Sequence, residues 1–346
     1  MDASRIVGVF LLICLLALPA NAQAPGGAAG ERARREAVAK GLDSLAGIWT
    51  PEAADRNRQE GVAVASLSGI AFLQSGSTPG EGPYREQVNV CLDFVLATQR
   101  DDGLLLAGNV AQAPMYGHGF GMLFLAEAYA RSKDEAARKR ILLVLAKAVA
   151  LSEKAQNKEG GWRYQPKPFD ADVSVTVGQL NGLLAAKAAG VRVSDDVLKK
   201  AADYVTSCQN DDGGFSYMAH GGGGGNSGLP RTAAALTALQ HAGAATPARR
   251  DKAVAFLGKF AASGQDDRSG HVFYGHYYVA QALLAAGGEH RTKTAAAFRE
   301  ALVRRQEPDG GWSGDFSKTY STAMALIALQ MPDRWLTVLG GDNVKN

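Results

Sequence analysis

Gln306-Glu307-Pro308-Asp309-Gly310-Gly311-Trp312 reads as a helix end, a turn and an aromatic anchor. A glutamine in the last turn of a helix can bond backbone groups that the helix end leaves exposed. Asp favours the turn that follows, and Gly permits the left-handed backbone that reverses the chain. The aromatic ring then packs between neighbouring units. The same pattern stands at Gln156-Asn157-Lys158-Glu159-Gly160-Gly161-Trp162 and at Gln209-Asn210-Asp211-Asp212-Gly213-Gly214-Phe215. A weaker copy, Gln99-Arg100-Asp101-Asp102-Gly103-Leu104, comes first, and a degenerate one runs from Gln265 to His271. Successive glutamines are 57, 53, 56 and 41 residues apart. That spacing suits a repeating pair of helices with variable loops.

Outward from these turns, apolar residues recur at three- and four-residue spacing and predict twelve helices in six pairs. The pairs are about 32–47 with 59–75, 84–99 with 114–131, 135–156 with 172–189, 194–209 with 229–243, 247–261 with 273–287, and 292–306 with 317–330. The first member of each pair carries more Lys, Arg and Glu, as in Lys133 to Arg140. The second is apolar nearly all round, as in Thr322 to Leu329, and belongs in the interior. Alternating outer and inner helices close into a double ring. The expected fold is all-α, an (α/α)6 toroid of six helical hairpins over residues 32–335, with a tail at 336–346.

The first residues stand apart from this pattern. Arg5, an apolar run from Ile6 to Leu18, and the small residues Ala20-Asn21-Ala22 read as a signal peptide over 1–22. The expected location is therefore periplasmic or extracellular. Residues 23–31 are a small, polar lead-in. No later segment is apolar enough to span a membrane. The net charge of +3 over 346 residues gives no argument for nucleic acid. Cys91 and Cys208 remain after cleavage, and their redox state is open. No CxxC spacing occurs, so structural zinc has no support, and no cofactor is expected.

The Gln-x-x-Asp-Gly-Gly-Trp/Phe repeats resemble those of the prenyltransferase and squalene-cyclase superfamily, where such turns are structural clasps called QW motifs. The resemblance covers essentially the whole chain after residue 31. It implies that Gln99, Gln156, Trp162, Gln209, Phe215, Gln306 and Trp312 hold the ring together. It also implies a central cavity with the N-terminal ends of the inner helices around one mouth. Two branches do not match. Protein prenyltransferase β subunits bind zinc through Asp, Cys and His, whereas this chain lacks that Cys and has Lys318 near the His position. Complement-like thioester domains need a Cys near Glu-Gln, which neither Cys91 nor Cys208 supplies.

The class II terpene cyclases match at one run. Their Asp-x-Asp-Asp-Thr-Ala motif resembles Asp170-Ala171-Asp172-Val173-Ser174-Val175. The family's proton donor maps to Asp172, with Asp170 as the accompanying acid. Val173 replaces the last acid and Ser174 the Thr. Those cyclases usually pair two helical domains. Alkene protonation needs a protonated acid in an apolar site, which burial and a second carboxylate both favour. The cation formed needs aromatic faces and exclusion of water. Tyr116, His118, Phe120, His276, Tyr277, Tyr278 and Tyr320 stand near the starts of inner helices, where a toroid would gather them as a cavity lining.

A structural reading stands beside each of these. Asp172 is also placed to cap its helix, which would lower its pKa. The histidines and tyrosines also suit a core. Arg231 follows the glycine-rich run Gly221 to Gly225, a flap or a neutral loop, and is a candidate for an anionic group. The expected function is an exported cyclase-like protein that binds or cyclises a polyprenyl or other apolar substrate. One alternative is a toroid that only binds a lipid, peptide or protein partner. Another is a carbohydrate-active toroid, with Asp172 paired to Glu60 or Asp315 across a groove.

Overall fold

The computed structural model describes residues 27–50, 61–107, 112–263, 270–314, 316–331, 333 and 336–340. The signal-peptide reading, Gln265, Glu60 and Asp315 lie outside the described residues. Twelve α-helices form among them. The outer set is α1 (Ala28–Ala46), α3 (Arg85–Ala97), α5 (Glu135–Ala155), α7 (Asp195–Ser207), α9 (Pro247–Ser263) and α11 (Ala295–Arg304). The inner set is α2 (Gly61–Gln74), α4 (Pro114–Arg131), α6 (Val173–Ala188), α8 (Leu229–His241), α10 (Val272–Ala286) and α12 (Lys318–Gln330). Each inner helix packs on the next, and α12 packs on α2, which closes the inner ring. The outer helices sit in the grooves between inner neighbours, and α1 lies against both α11 and α12. The (α/α)6 toroid is therefore complete.

Burial explains the two rings. In α2, every residue from Val64 to Gln74 is buried, and α12 is buried from Ser321 to Gln330. The outer α7 buries only one stripe, Leu198, Ala201, Ala202, Tyr204 and Val205. The closest inner contact is α4 with α6. A Cβ on Gly119 would stand 2.7 Å from the Gly178 carbonyl oxygen, and one on Gly182 would stand 2.8 Å from that of Gly119. Only residues without side chains allow this approach.

The clasps work by tying each turn to the next outer helix. Gln156 Nε2 donates to the Gly160 carbonyl (2.8 Å) and to that of Val197 on α7 (2.9 Å). Gln99 does the same with Gly103 and Val144 on α5, and Gln209 with Gly213 and Arg249 on α9. Gln306 bonds Gly310 (2.9 Å) and Ala37 of α1 (2.8 Å), so the last turn fastens to the first helix. The aromatics lock in from the other side. Trp162 donates its backbone N–H to Thr176 Oγ1 (3.0 Å) and its indole N–H to the Ser152 carbonyl (2.7 Å). Trp312 pairs likewise with Thr322 and Leu302, and the Phe215 N–H with Thr232.

Two boundaries differ from the sequence expectation. The lead-in ends earlier, because Ala28 to Glu31 already belong to α1. The tail is not free of the fold: Leu336 is buried, and Thr337–Leu339 form a 3-10 turn against α4 and α6. There the Val338 N–H donates to the buried carboxylate of Glu127 (3.0 Å).

Candidate active site

Asp172 ends the loop that follows the Trp162 clasp and caps α6. Its backbone N–H donates to the Trp162 carbonyl (3.0 Å), which fixes the acid to the clasp. Its side chain is fully buried. Oδ1 accepts the Ser174 hydroxyl (2.5 Å) and the Val175 N–H (3.0 Å). Oδ2 is buried and has no hydrogen bond; its nearest cation is Arg163, whose Nε is 3.6 Å away. The two oxygens thus divide between capping and an unfinished environment. Burial raises the carboxyl above its ordinary value of 3.8, and the bonds from Ser174 and Val175 and the charge of Arg163 pull it back.

Arg163 mediates between the two acids. Its Nη1 donates to Asp170 Oδ2 at 2.6 Å, and Asp170 is largely exposed. The guanidinium lies over the rings of Tyr164 (5.0 Å) and Tyr217 (5.7 Å). The phenols of Tyr164 and Tyr217 hydrogen-bond to each other. Tyr116 Oη meets Ser174 Oγ at 2.6 Å, and its ring lies 6.0 Å from that of Tyr164. Asp172 therefore connects to a group of tyrosines through Ser174 on one side and Arg163 on the other. Tyr274 joins from α10: burial pushes its phenol well up, and the charges of Tyr278, Tyr116, Tyr320 and Asp172 push the same way.

The structure sorts the expected lining residues by helix face. Tyr116, Phe120, Tyr277, Tyr278 and Tyr320 face the ring axis, with Phe120 and Tyr277 in edge contact at 6.2 Å. Tyr320 meets Phe316 edge to face (5.1 Å). His118 and His276 are turned outward. His118 Nδ1 accepts the Leu105 N–H (3.1 Å), which is the place of Thr176 in the next clasp. Its Nε2 faces the Ala148 carbonyl and Ser152 Oγ, both at 3.1 Å. His276 bonds the Val272 carbonyl (2.9 Å) and meets Phe298 of α11 edge to face (5.4 Å). Neither belongs to the lumen, because inner-helix residues halfway between two lumen-facing residues point to the outer ring. Arg231 Nη2 donates to the Asn226 carbonyl (2.9 Å) and secures the glycine-rich loop, which forms a 3-10 helix over Ala219–Gly224.

Arg163, Tyr164, Tyr217 and Tyr274 join the site beyond the residues the sequence points to. A signal was present for two of them. Tyr164 and Tyr217 each stand two residues beyond the clasp aromatic, Trp162 and Phe215. Their carbonyls accept the N–H of Met115 (3.2 Å) and Val173 (2.9 Å), at the starts of the preceding inner helices. Among the described residues no group of three His, Cys, Asp or Glu side chains could hold a metal, and no helix is long and apolar enough to cross a membrane. Cys91 and Cys208 are separate buried thiols.

No protein-family model matches the chain. Drimenyl diphosphate synthase of Streptantibioticus cattleyicolor is 32% identical over 192 residues, which is 50% of this chain and 34% of that protein. The chain thus spans about a third of that relative's length. The type II terpene cyclase MstE of Scytonema aligns over 86% of this chain and 98% of its own, with a TM-score of 0.57 and 15% identity. An α-1,6-mannanase of Salegentibacter aligns over the same shares, with a TM-score of 0.60 and 11% identity. The chain has the terpenoid cyclase-like α/α toroid fold, an architecture that also serves enzymes of carbohydrates.

Proposed function

We propose that the chain is a cyclase-like toroid that receives an unsaturated polyprenyl chain at the inner-helix mouth and protonates it from Asp172. The observation that carries this reading is Asp172 Oδ2, buried without a hydrogen bond and 3.6 Å from Arg163, on an acid that Ser174 and Arg163 link to a group of tyrosines. Burial raises the proton affinity of the carboxyl, as a general acid requires. The tyrosine faces are suited to stabilise a developing carbocation. Ser174 and Val175 hold Oδ1 and leave Oδ2 as the reactive oxygen. The shared fold with a type II terpene cyclase supports this reading. The same acid and aromatics would also serve a binder, and the capping bonds to Oδ1 favour that second reading.

Incubation with farnesyl and geranylgeranyl substrates, followed by mass analysis of extracts, separates the two. The expected result is a cyclised product from the wild type and at least a hundred-fold loss in Asp172→Asn, in line with removal of a general acid. Asn retains the cap, so the fold is kept. Retention of substrate with no conversion supports the binder. Equal product from both proteins would sink the proton-donor role.

A further inference from the structure

We propose that Phe120 and Tyr277 form a septum across the ring and set how far a ligand's apolar chain can penetrate. The ligand class rests on the prenyl reading above; the septum itself does not. The inner helices follow one another in the order α2, α4, α6, α8, α10, α12 and back to α2. In that order α4 and α10 stand opposite. Phe120 belongs to α4 and Tyr277 to α10, yet their ring centroids are 6.2 Å apart at 74°. The contact therefore crosses the axis. Both side chains are buried, and Tyr278 widens the barrier with a ring 4.6 Å from that of Tyr277.

The two sides of this septum differ. Toward the Asp172 mouth, one helical turn away on the same helices, Tyr116 and Tyr274 keep partial contact with solvent, as does Tyr320 on α12. A turn rises about 5.4 Å, so these partly exposed tyrosines stand about that far from the septum along the helices. Past the septum there are buried polar groups: two turns beyond Phe120 on α4, Glu127 pairs with Arg131 (3.2 Å) and accepts the Val338 N–H (3.0 Å), and one turn beyond Tyr277 on α10 stands Gln281. Thr337–Leu339 cover α4 and α6 at that end. A hydrocarbon pushed past the septum would exchange aromatic walls for groups that need polar partners. The aromatic side is blind, and ligand enters and leaves by the Asp172 mouth.

Two measurements test this on the full chain. The first compares binding of geraniol, farnesol and geranylgeraniol to the wild type, Phe120→Ala and Tyr277→Leu, with folding checked by circular dichroism and thermal melting. The septum variants are expected to shift preference toward geranylgeraniol over geraniol by about ten-fold relative to the wild type. Unchanged ratios in folded variants would overturn the proposal. The second places a thiol one turn past Tyr277 on α10, as Gln281→Cys, and follows its modification by a small water-soluble thiol reagent, with the parent as background for Cys91 and Cys208. Phe120→Ala should speed the reaction about ten-fold, and Phe120→Leu serves where the alanine variant does not fold. Equal rates with and without the septum would also overturn it. Faster labelling with no binding of any alcohol would retain the septum and reject the prenyl ligand.

Discussion

His118 and Asp172 are both buried titratable groups at inner-helix starts, yet their environments ask opposite things of them. His118 is an acceptor at Nδ1, so its proton sits on Nε2, facing the Ala148 carbonyl and Ser152. Burial pushes its pKa from 6.5 down to about 4. A depressed histidine contributes stability that is present above its ordinary value and lost as pH falls through the folded one. Between pH 6.5 and about 4 the wild type should lose on the order of 3 kcal/mol through this group. His118→Ala should cost about 2–4 kcal/mol at neutral pH and remove that share of the acid slope, as read by urea unfolding across the window. Parallel slopes in the two proteins would contradict the assignment. The sidedness of this residue was legible in the sequence. Tyr116 and Phe120 are four apart and share a face, while His118, between them, is about 200° from each at 100° per residue. The same arithmetic turns His276 away from Tyr274 and Tyr278. The loop residues Arg163, Tyr164 and Tyr217 were less legible, because no period fixes where a loop side chain points.

At the scale of elements, the clasp depends on its first glycine as much as on its glutamine. Gly160 has φ 96°, and a Cβ there would stand 2.2 Å from the Lys200 carbonyl oxygen on α7. Gly103, Gly213 and Gly310 press in the same way on the carbonyls of Lys147, Lys252 and Lys40. Gly160→Ala therefore meets both a strained backbone and a collision. It should destabilise the protein by about 3 kcal/mol or more, measured by denaturant unfolding. A change below about 1 kcal/mol would mean that the turn relaxes away from α7. The elements themselves were well marked in sequence, since turn chemistry and helical period agree at each repeat. Where they failed, at Ala28 to Glu31 and at Thr337 to Leu339, the residues are few and the signal is tertiary. Leu336 is buried by packing against the rest of the chain, which no local pattern announces.

For the whole molecule, the decisive contact is the one that joins the two ends of the repeat. Gln306 holds Ala37 across 269 residues of sequence. Nearby, buried Arg34 donates to the Leu329 carbonyl and pairs with Glu31 and Asp333. Gln306→Ala removes bonds like those of Gln156 and should cost a similar amount, about 1–2 kcal/mol. Its distinctive effect should be local: faster backbone amide exchange throughout α1, with α5 to α8 unaffected. Unaltered protection of α1 would show that the seam is held by packing alone. Closure also sets an order of assembly. Of the two helices, α1 is made well before α12, so the face of α1 that α12 covers has to wait for the last repeat. Contacts this distant in sequence form slowly. While they wait, the exposed apolar face is open to the wrong partners, which makes this seam the step at which a chaperone would matter most.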